Sequence, residues 1–288
     1  MPHFVSLLDG DVDASVATHS PSAPARGHRR PSGIEGLIDH AQRIIPLLRR
    51  SRVGWLLFLC FVAVDLALVP VAALHIFRGD PAEWVYGLGA DRTFGEFFNY
   101  IKFFTAIVLF AGLAWRSRSG RPVFVFYACF CAALLIDDAV YLHEKAGWFV
   151  AGLVPEGTIT LSIALQIGEL AFMGLVAAGA VIAFAVIYRH GSLQSRSLQT
   201  TIGLAFVPFF FFAVVVDTFH NVVNDYATYA VNEILVLIED GGELPSVSLI
   251  VAVAVALCAL VPDRPRDGAP SGAVPYSPEK ENADQALV

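Results

Sequence analysis

Six apolar runs leave this chain little choice of fold. A membrane-spanning helix needs about 20 consecutive, mostly apolar residues. Runs of that kind cover residues 53–77, 97–115, 122–142, 159–188, 201–223 and 234–261. The fourth and the last are long enough to tilt or to project beyond the bilayer. A run at 226–240 would make a seventh, but it is too short to cross alone. The connections carry helix-breaking or polar punctuation, as in Arg78-Gly79-Asp80-Pro81 and His190-Gly191-Ser192. The expected fold is therefore all-α, a polytopic transmembrane helical bundle of six spans. The chain is 56% hydrophobic and only 16% charged, against about 25% charged in soluble domains. That balance excludes a soluble globular enzyme, a disordered chain and a nucleic-acid binder. No internal repeat supports an inverted-repeat transporter.

Charge asymmetry sets the expected orientation. Arg26, Arg29, Arg30, Arg43, Arg49, Arg50 and Arg52 precede the first run, and the second and fourth connections carry Arg116, Arg118, Arg121, Arg189 and Arg196. The tail adds Arg264, Arg266 and Lys280. An even number of spans with both termini cytoplasmic satisfies this bias, and the expected location is the inner (cytoplasmic) membrane. Residues 1–33, rich in Ser, Pro, Ala and Gly, read as a disordered cytoplasmic tail, and 263–288 as a second. Between them, 34–52 reads as an amphipathic interfacial helix and 53–262 as the bundle. In the interfacial segment Ile34, Leu37, Ile38, Ala41, Ile44 and Leu48 recur at helical spacing ahead of a basic cluster. Such a helix suits the surface of anionic lipid.

Charge inside the runs is the informative exception. Asp65, Asp137, Asp138, Glu169 and Asp217 all fall within apolar stretches. Each acid near the bilayer centre costs roughly 2.5–3.5 kcal/mol on insertion scales, which makes it a functional-site candidate by default. With alternating span direction, Asp137, Asp138, His143, Glu144, Glu169, Asp217, His220, Glu239, Asp240 and Glu243 all converge on the outer layer. Glu96, Asn99 and Lys102 sit at the same depth, and only Asp65 lies deeper. An ion pair of Asp138 with Lys102 or Lys145 is the plainest alternative to a functional role for that acid.

Spacing refines the candidates. Asp217, His220, Asn221 and Asn224 follow i, i+3, i+4, i+7 spacing and share one helical face. A carboxylate-x-x-His pair can offer oxygen and nitrogen to one cation. Asp137 and Glu144 share a face, but Asp138 and His143 point elsewhere unless the helix bends or unwinds. Glu239 and Glu243 stand at i, i+4 around Gly241-Gly242, so they form a carboxylate face if the helix is continuous. Asp137, His143, Asp217, His220, Glu239 and Glu243 are thus the expected metal ligands. Oxygen ligands mixed with imidazole suit a divalent metal such as Zn, Mn or Fe. Glu144 and Glu169 are the expected general bases. The four cysteines, Cys60, Cys129, Cys131 and Cys258, lie in apolar runs with no Cys-x-x-Cys and read as small core residues. No P-loop, dinucleotide fingerprint or Gly-x-Ser-x-Gly occurs, so neither nucleotide use nor nucleophile-based hydrolysis has support.

The stretch Asp137-Asp138-Ala139-Val140-Tyr141-Leu142-His143-Glu144 resembles the D-[D/E]-x4-H-E signature of uncharacterised bacterial polytopic membrane proteins. Glu239-Asp240-Gly241-Gly242-Glu243 is similar to the E-[E/D]-x-x-E that opens their last span. The resemblance implies a shared polar site built by the third to sixth spans. A weaker resemblance, in the use of His and Asp from several helices, links the chain to membrane metal hydrolases that include alkaline ceramidases and adiponectin-receptor-like proteins. It implies a bound zinc and hydrolysis.

Two functions follow as expectations. One is a metal-dependent membrane hydrolase acting on a lipid or amphiphile that enters from the membrane. The other is a cation or proton transporter or sensor using the same acidic and histidine cluster. A structural membrane subunit with a buried polar network is the bland alternative.

Overall fold

The computed structural model describes residues 33–78, 83–88, 92–155, 158–224 and 226–261. The two expected tails fall, but for Gly33, outside the described residues. Eight helices and no strand occur among the described residues: α1 (Gly33–Arg50), α2 (Arg52–Arg78), α3 (Phe94–Arg116), α4 (Arg121–Val140), α5 (Leu142–Ala151), α6 (Leu161–His190), α7 (Leu193–Asn224) and α8 (Tyr229–Leu260). All but α1 and α5 are long and apolar enough to cross a membrane. The chain is a multi-pass, all-α membrane protein with six candidate spans. The run at 226–240 is no extra span, because α8 passes through it without interruption. The fifth span starts at Leu193, two turns earlier than its apolar run, because Ser192 caps it by accepting from the Ser195 amide.

Helix α8 is the axis of the bundle and packs on α2, α3 and α7. Its second half alternates small and branched residues, Val251-Ala252-Val253-Ala254, all fully buried. Small side chains let neighbouring backbones approach, which is how membrane helices associate without a hydrophobic drive between them. Around it Phe110, Phe124, Tyr127, Ile202, Phe206 and Ile250 form one apolar core. Helices α3 and α4 make an antiparallel pair, whereas α6 buries only Ala164 and Gly168.

Helix α1 buries Ile44 and Leu48 in the same core while Leu37, Ile38 and Ile45 stay exposed. Of the six residues expected to form one apolar stripe, these two therefore face protein. A further link is the 3.3 Å contact between His40 Nδ1 and Thr201 Oγ1. At the basic end arginines close helices as well as carrying charge. Arg116 donates to the Cys258 and Val261 carbonyls at the end of α8, and Arg196 to the Arg189 and Gly191 carbonyls at the end of α6.

Candidate functional site

At the opposite end, six helices surround a cavity of about 330 Å³. Helix α3 contributes Glu96 and Asn99, α4 contributes Asp137 and Asp138, and α5 contributes His143 and Glu144. Glu169 comes from α6, Asp217 from α7, and Glu239, Asp240 and Glu243 from α8. Nine carboxyl groups and one imidazole thus line one space, and no Lys or Arg is among the lining residues. Phe103, Leu134, Phe209 and Phe210 close it on the core side.

Two departures from regular helix build this arrangement. The first is Tyr141, which adopts a left-handed conformation (φ 58°, ψ 46°) between α4 and α5. A bulky residue there is an outlier that its surroundings must hold in place. The break lets Asp137 reach across it, where its carboxylate accepts from the His143 amide at 3.0 Å and faces His143 Nδ1 at 3.1 Å. Asp137, Asp138, His143 and Glu144 consequently face the same cavity, which an unbroken helix would prevent. The carboxylate holds the His143 imidazole above its usual pKa, against the opposing effect of burial, and the nearby Glu144 and Glu169 add to the rise.

The second departure is a π turn over Phe211–Val216, immediately before Asp217. Such turns are rare and occur mostly as single turns within α-helices. The Phe212 ring of this turn lies against Gly242, where a Cβ would come within 2.2 Å of it. Gly242 is therefore required for close approach and breaks nothing, because α8 continues through Gly241-Gly242 and Pro245. Beyond the π turn, Asn221 donates to Asp217 at 2.9 Å, and Asp217 and Glu239 both line the cavity.

Helix α5 is pressed onto α6 through Gly147 and Gly168. A Cβ on Gly168 would meet the Ala146 carbonyl and the Gly147 Cα at 2.7 Å. This contact brings Glu169 against Gly147, one turn of α5 from His143 and Glu144. Glu96 accepts from the Tyr100 and Tyr141 hydroxyls and from the Arg92 amide. Thr93 caps that helix through the Glu96 amide.

Asp137, His143, Glu144, Glu169, Asp217, Glu239 and Glu243 all line the cavity, whereas His220 does not. His220 sits behind Glu239, with Nδ1 2.7 Å from that carboxylate and Nε2 2.8 Å from Asn232 Oδ1. Both of its ring nitrogens are engaged, so it positions Glu239. Among the described residues no group of three His, Cys, Asp or Glu side chains is arranged to hold a metal ion. The donors come from six different helices around the space. Glu96, Asn99, Asp138 and Asp240 belong to the lining beside the expected residues. In sequence Glu96 and Asn99 were marked by lying at the same depth as the expected residues.

Asp65 and Lys102 take no place in the lining. They form a fully buried ion pair at 2.9 Å, so Lys102 does not pair with Asp138. Lys102 also donates to the Leu244 carbonyl at 2.7 Å, and Ser248 donates to Asp65 at 2.6 Å. The deeper acid is thus a clamp among α2, α3 and α8.

A family model described as a domain of unknown function, DUF8692, matches residues 54–258. Comparison with curated proteins and with solved structures yields no match. The matched segment runs from the start of α2 to the end of α8 and includes every residue that lines the cavity, and on that extent the chain belongs to the DUF8692 family.

Proposed function

We propose that this membrane protein binds cations in the carboxylate-lined cavity, as a cation sensor or transporter does. One observation carries the reading: nine carboxyl groups around about 330 Å³ with no Lys or Arg in the lining. Crowded carboxylates in a low-dielectric setting repel one another unless protons or cations neutralise them. Phe103, Leu134 and Phe209 shut the space toward the core, which favours reversible occupancy from one face over open conduction.

Equilibrium dialysis of purified protein against Mn²⁺, Zn²⁺ and 1,3-diaminopropane tests this. Wild type is expected to bind at least one of them saturably. The variant carrying Asp138→Asn, Asp217→Asn, Glu239→Gln and Glu243→Gln is expected to lose that binding. Absence of saturable binding of all three by wild type would overturn the reading.

A metal-dependent hydrolase acting on a lipid or amphiphile is the second reading, favoured by the Asp137–His143 pair. A carboxylate on one imidazole nitrogen leaves the other for a metal or a water, as second-shell carboxylates do in metal sites. Glu144 or Glu169 would then serve as general base on the water. Asp137, Asp217, Glu239 and Glu243 would have to draw together around the ion. Zn²⁺-stimulated cleavage of ester- or amide-linked amphiphiles, abolished by His143→Ala, is the result it requires.

A further inference from the structure

We infer that the cavity takes an organic polycation, a di- or polyamine whose ammonium groups are separated by methylenes, in preference to a single metal ion. This rests on the cation-binding reading and names the class of cation.

Charge layout is the first ground. A metal ion needs its donors at one point, and among the described residues no three are so arranged. The carboxyls are instead contributed by six different helices. Glu239 is held by His220, Glu96 by tyrosines and Asp137 by His143. Positive charges spaced along a flexible chain match such a layout, whereas one central charge does not.

Size and lining are the second ground. A space of about 330 Å³ is at the lower end of the range of small-molecule sites. It is roughly ten times the share of liquid volume that one water takes. Its core-side wall is aromatic, with the rings of Phe103 and Phe209 edge-to-face at 5.5 Å and Phe209 and Phe210 likewise. Such rings suit methylenes and attract ammonium groups across their faces.

Asn99 is the third ground and is independent of the acids. It lines the cavity, is only 8% exposed, and its side-chain oxygen has no hydrogen-bond partner. A buried acceptor left without a donor calls for an occupant that brings one. It lies one turn of α3 from Glu96 and one turn from Phe103, between carboxylate and aromatic walls. An ammonium N–H at that level serves Asn99 and a carboxylate together.

Calorimetric titration of the full chain in detergent, at low and at physiological salt, tests the inference with spermidine, 1,3-diaminopropane, n-propylamine and Mn²⁺. Spermidine is expected to bind saturably and at least tenfold more tightly than n-propylamine. Its affinity should fall with added salt. Asn99→Leu and Phe103→Leu should each weaken it at least fivefold, while Asp39→Asn on exposed α1 should leave it unchanged. Saturable Mn²⁺ binding without spermidine binding overturns the polyamine assignment and leaves cation binding standing. Binding of none of the four probes overturns the polyamine assignment, and cation binding falls with it if Zn²⁺ fails to bind as well. Unchanged spermidine affinity in an Asn99→Leu protein that melts like wild type removes the ligand from this cavity. The wild-type probe series decides the question even if a variant fails to fold.

Discussion

Lys102 has every proton of its ammonium group accepted, by Asp65 at 2.9 Å, by the Leu244 carbonyl at 2.7 Å and by Ser248 at 3.3 Å. The Phe98 ring adds a contact at 4.6 Å. A buried pair of this kind is costly to break from one side, because the remaining charge keeps its desolvation penalty without its partner. Lys102→Met or Asp65→Asn alone is expected to lower stability by about 3–5 kcal/mol. Lys102→Met with Asp65→Leu should recover most of that loss. Denaturation of the four proteins in detergent checks this, and a double variant as unstable as the worse single one would contradict it. Both residues stood out in the sequence as charges in apolar runs. Their pairing did not, because it joins helices 37 positions apart and no local pattern encodes the meeting. His220 teaches the converse. Its spacing from Asp217 pointed to a shared ligand set, yet Asn232 competes for the ring and holds it behind Glu239.

Among the helices, the six spans were legible because apolar length is a local property that tertiary contacts do not change. The two irregular turns were not. Nothing about Tyr141 announces a left-handed residue, since its conformation is imposed by the Asp137–His143 bridge and by the packing of α5 on α6. The π turn likewise answers to a neighbour, the Phe212 ring lodged against Gly242. The sequence left the continuity of the helix through the glycine pair open, and the structure runs α8 through it with Phe212 packed against Gly242. Gly242→Ala should therefore displace Phe212 and destabilise the protein by about 1–3 kcal/mol, the usual cost of overpacking. Gly174→Ala, where nothing lies within 4 Å of the added carbon, should be neutral or slightly stabilising. Melting temperatures of the two variants make the comparison, and equal loss in both would remove the packing role of Gly242.

For the molecule as a whole, acids and bases have parted company. The carboxyls collect around the cavity, while Arg116 and Arg196 close helices at the opposite end. By the positive-inside rule the arginine end is expected to face the cytoplasm. In a background with the four native cysteines replaced, Ser119→Cys should resist a membrane-impermeant maleimide in intact cells, and Thr158→Cys should react. Both positions are exposed and lie in opposite connections, so the reverse pattern would invert the assignment. The π turn also bears on how such a chain tolerates change. A turn of that kind holds one residue more than the α turn it replaces. Loss of a single residue there, such as exposed Val215, would restore ordinary winding and leave both flanks in register. A loss between Glu239 and Glu243, inside continuous α8, has no such slack, and at 3.6 residues per turn it swings one carboxyl about 100° from the other. The bundle thus carries one position where its length is negotiable, directly beside residues whose spacing is not.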